Sequence, residues 1–148
     1  MPSSGTGYSG TPLFAKLGMR PGFIVVAPHA PEGYSDLLAV PAPGVEIRPR
    51  FTGRADLVHL FVTQAAVLAR SLAGLRPRVD DGTPVWVSWP KRASGVATDV
   101  TEDVIRACAL PLGFVDIKVC AVDATWSGLK LVVRRELRGT LRTGARTR

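Results

Sequence analysis

Cysteine and histidine are scarce in this chain of 148 residues, which contains two of each. Two cysteines without a nearby pair of histidines do not make a zinc site, so we predict no metal site. Cys108 lies on the apolar face of a predicted helix and Cys120 lies in a predicted strand. These positions favour two small buried side chains over a disulfide.

Long apolar runs are also missing, and segments such as Phe23–Ala27 extend for only a few residues. A helix that spans a bilayer needs about 20 apolar residues, so we expect no membrane segment. Residues 1–10, MPSSGTGYSG, lack the basic start and apolar centre of a signal peptide, which makes a cytoplasmic location the default expectation. Apolar residues at 46% and charged residues at 21% are typical of a globular domain.

Acidic residues are in the minority, and the net charge is +7. Most of the excess lies in residues 134–148, where six arginines and one glutamate give +5 and leave +2 for the rest of the chain. We predict a flexible N-terminus at 1–10, a single domain at 11–137 and a disordered basic tail at 138–148. Only that tail has the charge to hold nucleic acid, and it would do so nonspecifically.

Strands and helices alternate along the predicted domain. Apolar segments bounded by turn residues predict three parallel strands buried on both faces, at 23–27, 55–62 and 85–89. Residues 45–51 predict an outer strand, and 115–122 with 129–135 predict an antiparallel hairpin. The fold class is therefore α/β, a three-layer Rossmann-like domain with a mostly parallel sheet and a C-terminal antiparallel hairpin.

Two longer helices follow the second and third buried strands. Leucines at helical spacing predict a helix at 64–75, with Thr63 as its N-cap. A second helix is predicted at 99–109, where Asp99 and Glu102 have the spacing of a capping box and Thr101 offers an alternative start.

Two motifs, WVSWPK at Trp86–Lys91 and TWSGLKLV at Thr125–Val132, carry a resemblance to a family. Through them the chain, over roughly residues 13–137, resembles small proteins of unknown function from high-GC Gram-positive bacteria. This resemblance implies no activity and no catalytic residue. The order of elements also resembles a shortened class I methyltransferase-type Rossmann fold.

The methyltransferase resemblance directs attention to two cofactor-binding positions. That fold binds its cofactor through a glycine-rich turn after the first strand and an acidic residue that ends the second. Here the turn at Ala27–Gly33, APHAPEG, has one glycine and two prolines, whose nitrogens cannot donate hydrogen bonds. The second strand ends in Arg48, Pro49 and Arg50. We therefore expect neither S-adenosylmethionine nor NAD, and the cofactor remains unassigned.

Loops that follow parallel strands meet at the carboxyl edge of the sheet, where ligands bind in open α/β folds. We expect one pocket there, with Lys91 as the anion contact. The candidate ligand-binding residues are His29, Glu32, Trp89, Lys91, Ser94, Asp123 and Trp126.

Five side chains could take part in catalysis or binding, and some of them have two interpretations. His29 and Glu32 form an acid–base pair, or His29 caps the following short helix. His59, inside a buried strand, is interpreted as a core histidine. Ser88 lacks the G-x-S-x-G elbow of a hydrolase nucleophile. Trp126 either marks a contact surface or covers the sheet.

Three classes of function remain open. The first is a non-catalytic, regulatory domain that binds a small anionic ligand or a protein partner. The second is an enzyme that uses His29, Glu32, Lys91 and Asp123 at the strand ends. The third is a protein associated with nucleic acid through the arginine-rich tail. The absence of a complete catalytic set favours the first.

Overall fold

The computed structural model describes residues 11–38 and 43–138. The predicted flexible N-terminus and all of the predicted basic tail except Arg138 lie outside the described residues.

Six strands form one sheet in the order β2-β1-β3-β4-β6-β5. The strands are β1 (Ile24–Val26), β2 (Glu46–Arg48), β3 (Leu57–Phe61), β4 (Val85–Pro90), β5 (Phe114–Ala121) and β6 (Trp126–Val133). The first four strands pair in parallel, whereas β6 is antiparallel to both β4 and β5. This topology confirms the predicted fold class, including the C-terminal antiparallel pair.

The centre of the sheet is built from the two most apolar strands. Every residue of β3 and of β4 is buried, because each strand has a neighbour on both sides and side chains packed on both faces. β2 lies at one edge and exposes Glu46, as an outer strand should. At the other edge, β5 leaves Ile117 and Val119 exposed beside a bulge between Asp116 and Lys118.

Helices cover both faces of the sheet. They are α1 (Leu13–Leu17), α2 (Tyr34–Leu37), α3 (Ala65–Leu75) and α4 (Glu102–Ala109). Side chains of α1 and α2 pack in one core cluster with Val25, Leu57 and Trp86. Side chains of α3 and α4 pack in the other, with Val26 and Leu60. The alternation of neighbouring strand residues between the two clusters gives the three predicted layers.

The start of α3 differs from the prediction, whereas α4 takes the alternative start at Thr101. Helix α3 begins at Ala65, whose N–H donates to Asp99 Oδ1 at 2.7 Å, and Thr63 does not cap it. Helix α4 begins after Thr101, whose Oγ1 accepts a hydrogen bond from Val104 N at 3.2 Å. The capping box at Asp99 is wrong because its carboxylate satisfies the neighbouring helix instead. This bond ties the loop after β4 to the start of α3.

Candidate ligand-binding site at the carboxyl edge of the sheet

The turn after β1, at 27–33, is held between two neighbouring strands. Ala27 N donates to Arg48 O at 2.8 Å, and Phe61 N donates to Pro28 O at 3.2 Å. His29 takes a left-handed conformation with φ 61°, which residues other than glycine rarely adopt, and Gly33 has φ 82°. Backbone in such regions concentrates at functional sites. The chain therefore makes a tight, fixed turn here without the glycines of a nucleotide-binding loop.

The first cavity beside this turn, which we call the α2 cavity, has a volume of about 270 Å³. Its lining includes Ala27, Ala30, Gly33, Ser35, Asp36 and Ile47. The small residues leave room for a ligand to approach the backbone, while the carboxylate and hydroxyl come from α2. A carboxylate thus lies beside the end of β2 although β2 itself ends in Arg48.

The second cavity, the β3 cavity, has a volume of about 260 Å³ and lies at the end of β3. It is lined by residues that include His29, Phe61, Thr63, Gln64 and Trp126. Trp126 is half-buried and packs edge-on against Phe61, with ring centroids 5.0 Å apart and an interplanar angle of 88°. This packing favours the interpretation of Trp126 as a cover over the sheet.

His29 also lines a third cavity, the α3 groove, which has a volume of about 570 Å³. Pro28 joins it there, and Pro49 lines both this groove and the α2 cavity. Residues of the turn at 27–33 therefore line three cavities.

The candidate residues from the sequence are distributed over more than one place. His29 and Trp126 line the β3 cavity, whereas Trp89 lines a separate cavity of about 660 Å³ between the loop after β4 and α4. Glu32 is exposed on the turn. Lys91 is half-buried, and its N–H donates to Thr125 O at 2.7 Å. A single pocket that contains all of them remains a prediction.

Two of the remaining candidates hold loops in place. Ser94 Oγ donates to Lys91 O at 2.7 Å and accepts from Val96 N at 3.2 Å. Asp123 Oδ1 accepts from Thr125 N at 2.8 Å and from Trp126 N at 2.7 Å. Their polar atoms close local turns, as serine and aspartate side chains commonly do.

Beneath the α2 cavity lies a buried polar network. His59 Nδ1 lies 2.7 Å from Tyr34 Oη, and His59 Nε2 lies 2.6 Å from Ser88 Oγ. Burial lowers the pKa of His59 to about 3 and raises the pKa of Tyr34 above its ordinary value. His59 and Ser88 have no exposed surface, so this is a hydrogen-bonded core histidine and not a catalytic pair.

The described residues contain no group of three or more histidine, cysteine, aspartate or glutamate side chains that could hold a metal ion. No helix within 11–38 or 43–138 has the length and apolarity needed to cross a membrane.

Two contributors to these cavities, Asp36 and Arg70, are not among the candidates predicted from the sequence, whereas Gln64 lies in the loop after β3, one of those expected at the carboxyl edge. Asp36 lies on a helix of four residues, which is too short for helical spacing to single out a face. For Arg70 a signal exists, because Arg70 and Gly74 are four residues apart within the predicted helix and so share one of its faces.

No protein-family model matches the sequence, and no curated protein matches it.

Solved structures do match the fold. Magnesium protoporphyrin IX methyltransferase from Synechocystis, with bound S-adenosylmethionine (SAM), aligns at a TM-score of 0.58 and 13% identity over 82% of this chain and 74% of that one. A SAM-dependent methyltransferase from Aquifex aeolicus aligns at a TM-score of 0.59 and 11% identity over 82% of this chain and 88% of that one. TrmN from Thermus thermophilus aligns at a TM-score of 0.58 and 16% identity, over 82% of this chain but only 47% of TrmN. The chain therefore has a Rossmann-like methyltransferase fold.

These neighbours correct one expectation from the sequence. The expectation that SAM is not the ligand is contradicted by structures of SAM-dependent methyltransferases, one of them with the cofactor bound. That expectation rested on the end of β2, where Arg48, Pro49 and Arg50 stand in place of a carboxylate. The structure places Asp36 in the cavity that adjoins this end, beside Ile47 and Pro49. This cavity therefore has a carboxylate that comes from α2 and not from the end of a strand.

Proposed function

We propose that this is a Rossmann-like domain that binds SAM, or a related adenosyl compound, at the turn 27–33. The observation that carries the proposal is the meeting of the α2 cavity, the β3 cavity and the α3 groove at this one turn. The fold of the structural neighbours supports it. We also propose that the chain belongs with the small proteins of high-GC Gram-positive bacteria that it resembles. That resemblance implies no ligand of its own.

Asp36 is the residue proposed to orient the ligand. A carboxylate that accepts hydrogen bonds from ribose hydroxyls is the usual device in dinucleotide-binding Rossmann folds, where it ends the second strand. Ala27, Ala30 and Gly33 would allow the ligand to lie close to the backbone. Because Pro28 and Pro31 have no N–H to donate, side chains would supply more of the polar contacts than in a glycine-rich turn.

The role proposed for the domain is binding, with a regulatory outcome, since His59 and Ser88 are sealed in the core. One observation favours methyl transfer as a second candidate. The β3 cavity adjoins the turn through His29, and it places Gln64 and Trp126 where a second molecule could reach the ligand. SAM, when bound, supplies an activated methyl group, so the two roles differ only in whether an acceptor enters that cavity.

A thermal-shift titration with SAM tests the binding proposal. A ligand at about 100 times its Kd stabilises the folded state by about 2.7 kcal/mol, or roughly 5 to 10 °C for a domain of this size. We expect that shift for the unaltered protein and a much smaller one for Asp36→Asn. The matched control is Asp80→Asn, which makes the same change from carboxylate to amide at an exposed aspartate before β4. An equal shift in all three proteins, or none in any, would rule out the assigned site.

The two roles are separated by mass spectrometry of the ligand after incubation with cell metabolites. Conversion of SAM to its demethylated product by the unaltered protein, lost in Asp36→Asn, would establish methyl transfer. Binding without conversion would support the regulatory role.

A further inference from the structure

The α3 groove lies beside α3 because no described helix covers β1 on this face of the sheet. Helices α3 and α4 cover the centre of this face, whereas α1 and α2 pack on the other. Over β1, on the α3 side, the chain passes directly from β2 to β3 through residues 49–56, from which Phe51 and Ala55 pack on the core. The space between this connection and α3 is left open.

The walls of the α3 groove are basic and its interior is apolar. The lining includes Arg50, Phe51, Leu60, Arg70, Gly74 and Arg78, and none of its lining residues is acidic. Arg70 and Gly74 lie four residues apart on one side of α3, and Arg78 follows in the turn after Leu75. Arg50 faces them from the opposite wall. Three guanidinium groups without a carboxylate among them favour an anion.

One of these arginines also shows how a flat group can be held. Arg78 Nη1 donates to Phe51 O at 2.9 Å, and its guanidinium carbon lies 5.7 Å from the centre of the Phe51 ring. All three arginines are exposed, and Arg78 is the one whose guanidinium is bonded to Phe51 and lies over its ring. The groove therefore combines a planar, apolar wall with two further exposed cationic side chains, Arg50 and Arg70.

We propose that the α3 groove binds a nucleotide, with its phosphate at Arg50 and Arg70 and its base beside Phe51. The volume of about 570 Å³ suits a ligand of that size. Each arginine guanidinium can bind a phosphate through two parallel N–H donors, and aromatic side chains stack on any base. The nucleotide is either free or part of a single strand. This site adjoins the proposed adenosyl site through Pro28 and His29 of the turn but is distinct from the α2 cavity, because Asp36 does not line it.

Calorimetric titrations with uridine monophosphate, uridine and a short oligouridylate test the proposal without using adenine. We expect uridine monophosphate to bind and uridine to bind at least about tenfold more weakly, since it lacks the charged group. Arg70→Glu should lower the affinity for uridine monophosphate by a similar factor. The matched control is Arg20→Glu, which makes the same charge change at an exposed arginine before β1 and should leave affinity unchanged.

A second variant blocks the groove without altering charge. A Cβ at Gly74 meets no atom within 4 Å, so Gly74→Leu should fold normally and fill the groove. It should abolish binding of uridine monophosphate. Tighter binding of the oligouridylate, with a steeper salt dependence, identifies a single strand as the source, and equal or weaker binding identifies a free nucleotide.

The proposal is overturned if neither uridine monophosphate nor the oligouridylate binds. It is also overturned if uridine binds as tightly as its monophosphate, or if Arg20→Glu weakens binding as much as Arg70→Glu. Loss of uridine monophosphate binding in Asp36→Asn would place this ligand at the turn and reject the groove. If SAM does not bind but uridine monophosphate binds as described, the proposed function is rejected and the nucleotide site in the groove is retained.

Discussion

The hydroxyl oxygen of Tyr34 lies 2.7 Å from Nδ1 of His59 and joins α2 to the centre of β3. Tyr34 also lines the α2 cavity, so this bond fixes one wall of the proposed site. On the other side of the imidazole, Ser88 on β4 completes the network. The position of Asp36, one half-turn further along α2, therefore depends on a buried hydrogen bond.

Tyr34→Phe should destabilise the protein, because it leaves a ring nitrogen of His59 buried without a partner. The expected loss of unfolding free energy is about 1 to 3 kcal/mol. Urea denaturation measures it, and Ser35→Ala, which alters an exposed hydroxyl on the same helix, is the control. An equal effect of both substitutions would show that the tyrosine hydroxyl contributes nothing specific.

Stability should fall on mild acidification because of His59. In the unfolded chain, this imidazole takes up a proton near its ordinary pKa of about 6.5, whereas burial lowers its pKa in the folded protein to about 3. Between these values the unfolded state binds more protons, so stability is complete above pH about 6.5 and is lost as the pH falls towards 3.

At pH 5 this loss should amount to about 2 kcal/mol relative to pH 7. Urea midpoints at the two pH values measure it. His59→Asn, which does not titrate, should be less stable at pH 7 but should show a much flatter pH dependence. A variant with the same pH dependence as the unaltered protein would assign the effect to other groups.

Two glycines should respond in opposite directions to replacement by alanine. Gly74 lies inside α3, where an added Cβ meets nothing within 4 Å, so Gly74→Ala should raise stability by about 0.5 to 1 kcal/mol. Gly113 has φ +97°, and a Cβ there would lie 2.7 Å from Leu137 Cδ1. Gly113→Ala should therefore lower stability by more than about 1 kcal/mol. Thermal unfolding of both variants measures the contrast.

Truncation after Arg138 should leave the melting temperature within about 1 or 2 °C, because residues 139–148 have few apolar side chains. Truncation after Arg134 is the control. It removes Leu137, which packs on the main core cluster, and Arg138, whose Nε donates to Val133 O at 2.9 Å. Only the control should melt several degrees lower, and a similar loss in both proteins would show that the tail is docked.

The fold could be predicted from local patterns, whereas the cavities could not. Apolar segments bounded by turn residues predicted β3 and β4, because a strand buried on both faces has a nearly continuous apolar sequence. Asp99, by contrast, caps α3 from 34 residues away, and its spacing to Glu102 suggested a local capping box instead. Contacts over such separations leave no periodic signal in a single sequence.

The same limit applies to the candidate site. His29 was recognisable because it follows the first buried strand directly. Asp36 was not, since its place beside the end of β2 depends on how a four-residue helix packs. The α3 groove depends on the absence of a helix between β2 and β3, which becomes informative only once the sheet order is known.

The most direct test of the proposed binding site is a nitrogen–proton NMR titration of the full chain with SAM. If SAM binds at the turn, the largest shifts should fall on the backbone amides of Ala27, Ala30, Gly33 and Asp36, around the α2 cavity. Amides of Ile117 and Val119, at the far edge of the sheet, should not move. Saturable shifts confined to residues away from the turn, or no shifts at millimolar ligand, would contradict the central claim.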